Sequence, residues 1–402
     1  MYDVPPCLVD PALLPPPLMT SEPGSFAYNT FKVRIPAIID EIVSLNHFPP
    51  YILSAMQVLR DEVTDGYITA LREQTADTRF WHAAAQPWSG HSWLDAPWYW
   101  AEAYFYRRVL EATRYFQPSD WSYVDPYAPQ KRAELALMAA PAALRNVLTH
   151  LPQTTESIFE VLLHASLWGN RTDLSYNVAS QIGPAGRVDN ERSNLLVDDS
   201  SLVWEHVASQ QCAHAAIITD NAGTELLMDL ALCEFLLNNG IVSRISLHLK
   251  PQPFFVSDAM RKDVWDSIQA LERAAEPLHS LGARLRAHLD AGRLVMQEHW
   301  FYTTSLHYYQ MPVDLIEQLA AVDFVLLKGD ANYRRLLGDA HWPETTNFKT
   351  ATAYFPAPFV SLRTLKAELI IGLAPGQTAI LHKQDPSWRT NGRRGVIQSN
   401  LA

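Results

Sequence analysis

The sequence predicts an α/β protein with a largely parallel, doubly wound sheet and a helical N-terminal part. Three observations carry this. From about residue 190, short apolar runs alternate with amphipathic helical segments, the signature of βαβ units. Before that point apolar residues recur at helical spacing. The chain has 402 residues, 48 % of them hydrophobic, which supports a large core in two or three units or in one enlarged α/β domain. The formal charge of −11, without a long Lys/Arg run, argues against nucleic acid as a partner. No window approaches the roughly 18 consecutive apolar residues of a membrane span.

The elements follow in order. Residues 1–28 are rich in proline (Pro5, Pro6, Pro11, Pro15, Pro16, Pro17) and are expected to form an irregular arm wrapped against the body. The arm carries Asp3 and Asp10 and lacks the basic and apolar stretches of a targeting signal. Residues 29–185 form the expected helical unit. Pro36 suits a first helical turn, and Ile38, Ile39, Ile42 and Leu45 recur on one face. A loop over Gln86–Asp95 leads to a helix over Pro97–Phe116. Six of the twelve tryptophans lie between Trp81 and Trp121; they fill a helical core or wall a ligand cleft, with Trp93, Trp98 and Trp168 as cleft candidates. A helix over Ser157–Trp168 stops at Gly169 and Asn170.

The turn Gly183-Pro184-Ala185-Gly186 separates this unit from the α/β unit, residues 186–402. Strands are expected at Ala213–Thr219, Ile241–Leu249, Phe254–Val256, Leu294–Gln297 and Phe324–Leu327, with Leu369–Leu373 as the last. Helices are expected at Thr224–Leu237, Met260–Glu276, Val313–Ala321 and Asn332–Leu337. Three widely spread cysteines (Cys7, Cys212, Cys233) make neither a disulfide framework nor a zinc site, so a reducing cytoplasm is the expected compartment.

Ligands of a doubly wound sheet collect at the carboxyl ends of its strands. Asp220 and Asn221 follow one strand, Ser257 and Asp258 another, and Lys328 and Gly329 a third. Two carboxylates and an amide, without thiolate or clustered histidine, suit Mg²⁺ or Mn²⁺ and leave positions open for water and substrate. Lys328 beside such a site suits a phosphate, and the helix start at Asn332 offers free N–H groups. Each piece also has a plain structural reading. Asp220 and Asp258 can cap helices, and Lys328 can be a solvated loop residue. Asn170 and Asp173 can be ordinary turn residues, and Arg363 with Lys366 a basic turn. Arg363 and Lys366 precede the Leu369–Leu373 run, at the wrong edge of a purely parallel sheet. No P-loop, dinucleotide fingerprint, H-E-x-x-H or G-x-S-x-G is present. His206, His214, His248 and His299 show no metal spacing.

The ordered set of motifs resembles the metal-dependent damage-control phosphatases formerly called DUF89, in their ARMT1-like subfamily. The set comprises Ser25-Phe26-Ala27-Tyr28 with Arg34-Ile35-Pro36, Leu94-Asp95-Ala96-Pro97-Trp98, and residues 167–175 (Leu-Trp-Gly-Asn-Arg-Thr-Asp-Leu-Ser). It continues with Asp220-Asn221-Ala222-Gly223, Phe255-Val256-Ser257-Asp258, Lys328-Gly329-Asp330-Ala331-Asn332-Tyr333-Arg334 and Arg363-Thr364-Leu365-Lys366. The resemblance implies a helical part packed on a three-layer α/β/α mostly parallel sheet. It implies a divalent metal (Mn²⁺, Mg²⁺, Co²⁺ or Ni²⁺) on Asp220, Asn221 and Asp258. Phosphate contacts would come from Lys328, Arg363 and Lys366, with Asn170, Asp173, Asp330 and Asn332 lining the pocket. The implied activity is house-cleaning hydrolysis of small phosphorylated metabolites, sugar phosphates of the fructose 1-phosphate kind.

The expected mechanism is attack of a metal-activated water on a phosphomonoester, with Asp220 or Asp258 orienting or deprotonating the water and Lys328 balancing charge. Three alternatives compete. A phosphoaspartyl route would need a second acid where Ala222 stands. A carboxyl O-methyltransferase would favour a glycine-rich loop after the first strand, and none is found. A non-catalytic sugar-phosphate-binding protein is the third.

Overall fold

The computed structural model describes residues 5, 7–136, 139–169, 192–209 and 212–401. Seven strands form one sheet: β1 (Leu195–Asp198), β2 (His214–Ile218), β3 (Arg244–Leu249), β4 (Leu294–Glu298), β5 (Phe324–Lys328), β6 (Phe359–Thr364) and β7 (Gly395–Asn400). Their spatial order is β1-β7-β6-β5-β2-β3-β4. Every neighbouring pair is parallel except β6 with β7. The fold is therefore α/β with a mostly parallel sheet.

Strand alternation splits the core in two. Ala216, Ile218, Val325, Leu327, Phe359 and Val396 face one way and join a cluster with the N-terminal helices. Ala215, Ile217, Leu247, Phe324, Leu326, Val360, Leu362 and Ile397 face the other way. There they pack with the helices Thr155–Trp168, Thr224–Asn238, Arg261–Arg273 and Leu278–Asp290. Both faces are covered, which is why these strands read as continuous apolar runs.

On the first face the central helix is Trp98–Ala112, whose residues 98–110 are all buried. Trp81 and Trp93 are fully buried core, whereas Trp98 is buried and also lines the cleft, as expected of a wall residue. Buried charge in this helix is matched: Arg107 pairs with Glu73 at 2.6 Å and Asp77 at 2.6 Å, and Arg108 with Glu62 at 2.8 Å. The proline-rich arm lies along the body. Leu18 donates its N–H to the Asp339 carbonyl at 2.8 Å and accepts from Trp98 N–H at 2.8 Å.

Two expected strands are corrected. Phe254–Val256 is a loop, because Phe255 and Val256 adopt positive φ (43° and 64°), which no strand tolerates. Leu369–Leu373 is irregular; the last strands are Phe359–Thr364 and Gly395–Asn400. Its apolar residues are core filler without a ladder. Consequently Arg363 sits at the carboxyl end of β6, which runs parallel to β5, so no reversal is needed to bring it to the ligand edge. Helices at Pro50–Asp65, Thr78–Ala85 and Leu278–Asp290 were outside the expected set.

His248 on β3 contacts the Tyr302 hydroxyl at 2.8 Å, and burial, then His299 and His214, depress its pKa to about 4. An unfolded chain binds this proton near pH 6.5, so stability is lost as pH falls from about 6.5 towards 4 and levels below that. We expect His248→Gln to flatten that part of the pH–stability curve by about 1–3 kcal/mol, read by urea unfolding at pH 7 and pH 4.5.

Candidate active site

Three chain segments meet at the carboxyl edge of the sheet. β2 ends at Ile218, and Asp220-Asn221 follow after Thr219. The loop after β3 reverses through the left-handed Phe255 and Val256 and returns Ser257-Asp258 alongside them. Asn221 and Asp258 form an antiparallel bridge, with Ala222 N–H on the Ser257 carbonyl at 2.7 Å and Ala259 N–H on the Asp220 carbonyl at 2.8 Å. Two adjacent non-glycine residues at positive φ, one of them β-branched, store strain, and the bridge holds them there. β5 leads into Gly329, with φ 90° and ψ 169°, and then the helix Asp330–Leu336.

Asp220, Asn221 and Asp258 line one cleft of about 190 Å³. Its other walls are Phe26, Arg34, Trp98, Glu102, Phe255, Ser257, Asp330, Ala331, Arg334, Thr364 and Lys366. Gly329 makes the floor possible: a Cβ there would stand 2.0 Å from Asp220 Oδ2. Asn221 Nδ2 donates to Asp220 Oδ2 at 2.7 Å and to Glu225 Oε2 at 2.9 Å, which fixes the amide with Oδ1 towards the Ser257 hydroxyl. Burial, then the charges of Glu225 and Asp258, push the Asp220 carboxyl well above the usual carboxylate range. Burial also raises Asp258, opposed by Lys250, whose Nζ lies 3.1 Å from Oδ2.

Crowded buried acids and an amide oxygen are a donor set for a hard dication. Among the described residues no group of three or more His, Cys, Asp or Glu side chains has metal-binding geometry, so the set stands as two carboxylates plus an amide.

Lys328 occupies a different place from the one its position after β5 suggested. It lies on the same side of the sheet as Leu326 and Thr219 rather than Asp220, because its register partner across β2 is one residue short of the acid. Lys328 is fully buried and does not line the cleft. Its Nζ meets Asp229 Oδ1 at 3.0 Å, Glu225 Oε1 at 3.1 Å and the Ser166 hydroxyl at 2.7 Å. Burial alone would lower its pKa, but Asp229 and Glu225 raise it overall. Glu225 thus joins Lys328 on one side to Asn221 on the other, and Gly169 lets the preceding helix approach it: a Cβ there would stand 2.7 Å from the Glu225 Cα.

The remaining candidates divide similarly. Asp330 lines the cleft and accepts from Arg363 Nε at 2.7 Å and Lys366 N–H at 3.3 Å. Arg363 is buried, lies over the Tyr333 ring at 4.3 Å and bonds the Ala367 and Leu369 carbonyls, so it shapes the loop that presents Lys366. Lys366 itself faces the cleft. Asn332 is buried away from it, donating to the Lys328 carbonyl at 2.8 Å and accepting from Tyr308 at 2.9 Å. Asn170 and Asp173 lie outside the described residues.

Sequence reasoning missed Glu225, Glu102, Arg334 and Arg34 as site residues. Glu225 was legible as an acid in the first turn of the helix that follows Asp220. Arg334 was not, because its place depends on partners far along the chain. Its guanidinium lies 3.5 Å over the Trp98 ring, with Glu102 at 2.6 Å and Asp339 at 2.8 Å.

Residues 30–381 match the model of the damage-control phosphatase ARMT1-like domain. The damage-control phosphatase ARMT1 of Danio rerio is 32 % identical, with 96 % of this chain and 97 % of that protein aligned. The damage-control phosphatase ARMT1 of Homo sapiens is 31 % identical over 96 % of this chain and 99 % of that protein. A DUF89 family protein from Pyrococcus horikoshii, solved by crystallography, superposes with a TM-score of 0.48 at 14 % identity, covering 92 % of this chain and 97 % of that one. On the extent of the domain match and of these alignments, the chain belongs to the damage-control phosphatase ARMT1-like family.

Proposed function

We propose that the chain is a metal-dependent phosphomonoesterase acting on small phosphorylated metabolites, sugar phosphates in particular. Family membership supports a phosphatase with a house-cleaning role. The observation that carries the finer reading is the convergence of Asp220, Asn221 and Asp258 on one open cleft with Lys366 in its wall. A dication held by those three side chains (Mn²⁺, Mg²⁺, Co²⁺ or Ni²⁺) would neutralise the ester and acidify a water.

The chain's own groups do the rest. Asp220 Oδ2 receives the Asn221 amide, while Oδ1 takes no hydrogen bond from a described residue and is available to orient the attacking water. Asp258 is held in place through Oδ2 by Lys250, which also donates to the Thr219 carbonyl at 3.0 Å. Lys366 places a cation at the cleft, suited to the equatorial phosphate oxygens. Phe26, Trp98 and Phe255 supply apolar wall against which a sugar face can pack. In this reading Lys328 is a positioning residue: it holds Glu225, which holds Asn221.

Asp220→Asn and Asp258→Asn are each expected to lower Mn²⁺-dependent phosphate release from a sugar-phosphate panel by about 100-fold or more. Chelation should abolish release in the parent chain and added Mn²⁺ should restore it. Near-parental turnover in both variants overturns the reading. Gly329→Ala forces a side chain onto the Asp220 carboxylate and into a glycine-only conformation. It should cost about 1–3 kcal/mol of stability in urea unfolding and at least about tenfold in kcat. Lys328→Met leaves Asp229 and Glu225 unpaired in the interior, so its main signature should be a loss of about 3–5 kcal/mol in unfolding free energy. Lys366→Met should instead act on kcat/KM with little change in stability.

A further inference from the structure

The acids sit on the floor of the cleft, Asp220 at 7 % exposure and Asp258 at 2 %. Arg34 stands on its rim and is exposed. Among the described residues that line the cleft, Arg334 already has Glu102 and Asp339 as partners. Arg34 makes no hydrogen bond or ion pair with any described residue, so its five N–H donors, with no acceptor, are unused.

Its position is built rather than incidental. Phe26–Asn29, Thr30–Arg34 and Ile35–Leu45 form one continuous helix whose middle turn is π-helical, with Ile35 N–H reaching the Thr30 carbonyl. Pro36 supplies the cause: it has no N–H to give, and its ring would clash with the carbonyl four residues back, so the turn before it widens. The widened turn ends on Arg34. The segment is anchored on both sides of the cleft. Phe26 packs edge-on to Trp98 with centroids 5.7 Å apart, and its N–H reaches Glu368, two residues after Lys366, at 3.2 Å. Phe31 stacks on Trp93 at 5.9 Å.

We propose that Arg34 is a specificity-determining residue that grips the oxygen-rich leaving group of the substrate at the end remote from the scissile ester. This rests on the phosphomonoesterase reading of the floor. A phosphorus atom at the acids leaves the body of the ester pointing to the rim, where a donor-only guanidinium selects oxygen acceptors, either sugar hydroxyls or a second anionic group.

The test uses the full chain with Mn²⁺ and three esters: p-nitrophenyl phosphate, a hexose monophosphate and a hexose bisphosphate. Arg34→Ala is expected to lower kcat/KM for the hexose esters, relative to the aryl ester, at least tenfold and mainly through KM. Arg34→Lys should recover part of that ratio. A larger loss with the bisphosphate assigns the contact to a second anion, and equal losses assign it to hydroxyls. A ratio within twofold of the parent for both hexose esters overturns the proposal. Calorimetric binding of the hexose bisphosphate separates this from failure of the catalytic reading, because it needs no turnover. Binding at least tenfold weaker to Arg34→Ala supports the contact even if Asp220→Asn were to retain activity, and equal binding refutes it.

Discussion

The structure depends on how much negative charge the carboxyl edge of its sheet holds out of water. Asp220, Asp258, Glu225 and Asp229 are all buried. Isolated carboxylates do not persist in such a place; they protonate or find cations. The chain gives three of them dedicated partners, Lys328 for Glu225 and Asp229, and Lys250 for Asp258. Asp220 accepts from Asn221, and burial, then the charges of Glu225 and Asp258, push its carboxyl up against the opposing Lys250 and Lys366. Two lysines and three oxygen donors thus divide one problem. Lys328 settles the charge that faces the helices, Lys250 steadies Asp258, and Asp220, Asn221 and Asp258 face the cleft.

This division follows from the sheet. Parallel strands bring loops from β2, β3, β5 and β6 to one edge, and the period of two along each strand sends successive side chains to opposite layers. Thr219 and Lys328 share one layer. Asp220 falls in the other, beneath the aromatic helices. The N-terminal helices therefore do more than cover the sheet. They wall the cleft with Phe26, Trp98 and Glu102, and through Glu102 they fix Arg334 over Trp98. The electrostatic floor comes from the sheet loops and most of the wall from the N-terminal helices, so the site exists only once both layers are packed.

Backbone conformations that few residues tolerate complete the arrangement. Gly329, at φ 90°, admits the Asp220 carboxylate; Gly169 has ordinary helical backbone and matters only because a Cβ there would meet Glu225. Phe255 and Val256 take the left-handed region without being glycine, so their cost is carried by the hydrogen bonds that flank them. Two adjacent strained residues beside the acids fit a site where geometry has been kept at the expense of local stability.

Much was legible from residue order alone. Alternation from residue 190 onward announced the sheet, and the strands at 213–219, 294–297 and 324–327 stand within a residue or two of β2, β4 and β5. The meeting of Asp220 and Asn221 with Asp258 could be read too, although Asp258 arrives not at a strand end but through the loop after β3 that bridges to Asn221. Local apolarity does not separate a strand from a packed loop: Leu369–Leu373 has the composition of a strand but packs as irregular core, while β6 and β7 carry the ladder. Nor could it assign layers. Lys328 looked like a ligand contact because it ends a strand, but only register with β2 shows that its amine turns to Glu225 and Asp229. Arg334 and Glu102 are 232 residues apart, and Arg34 reaches the cleft on a helix docked through Phe26 on Trp98. Sequence determines which groups arrive at an edge, since strand direction and turn chemistry are local. Tertiary packing decides which of them face the cavity and which neutralise one another behind it, since that depends on neighbours no local window contains.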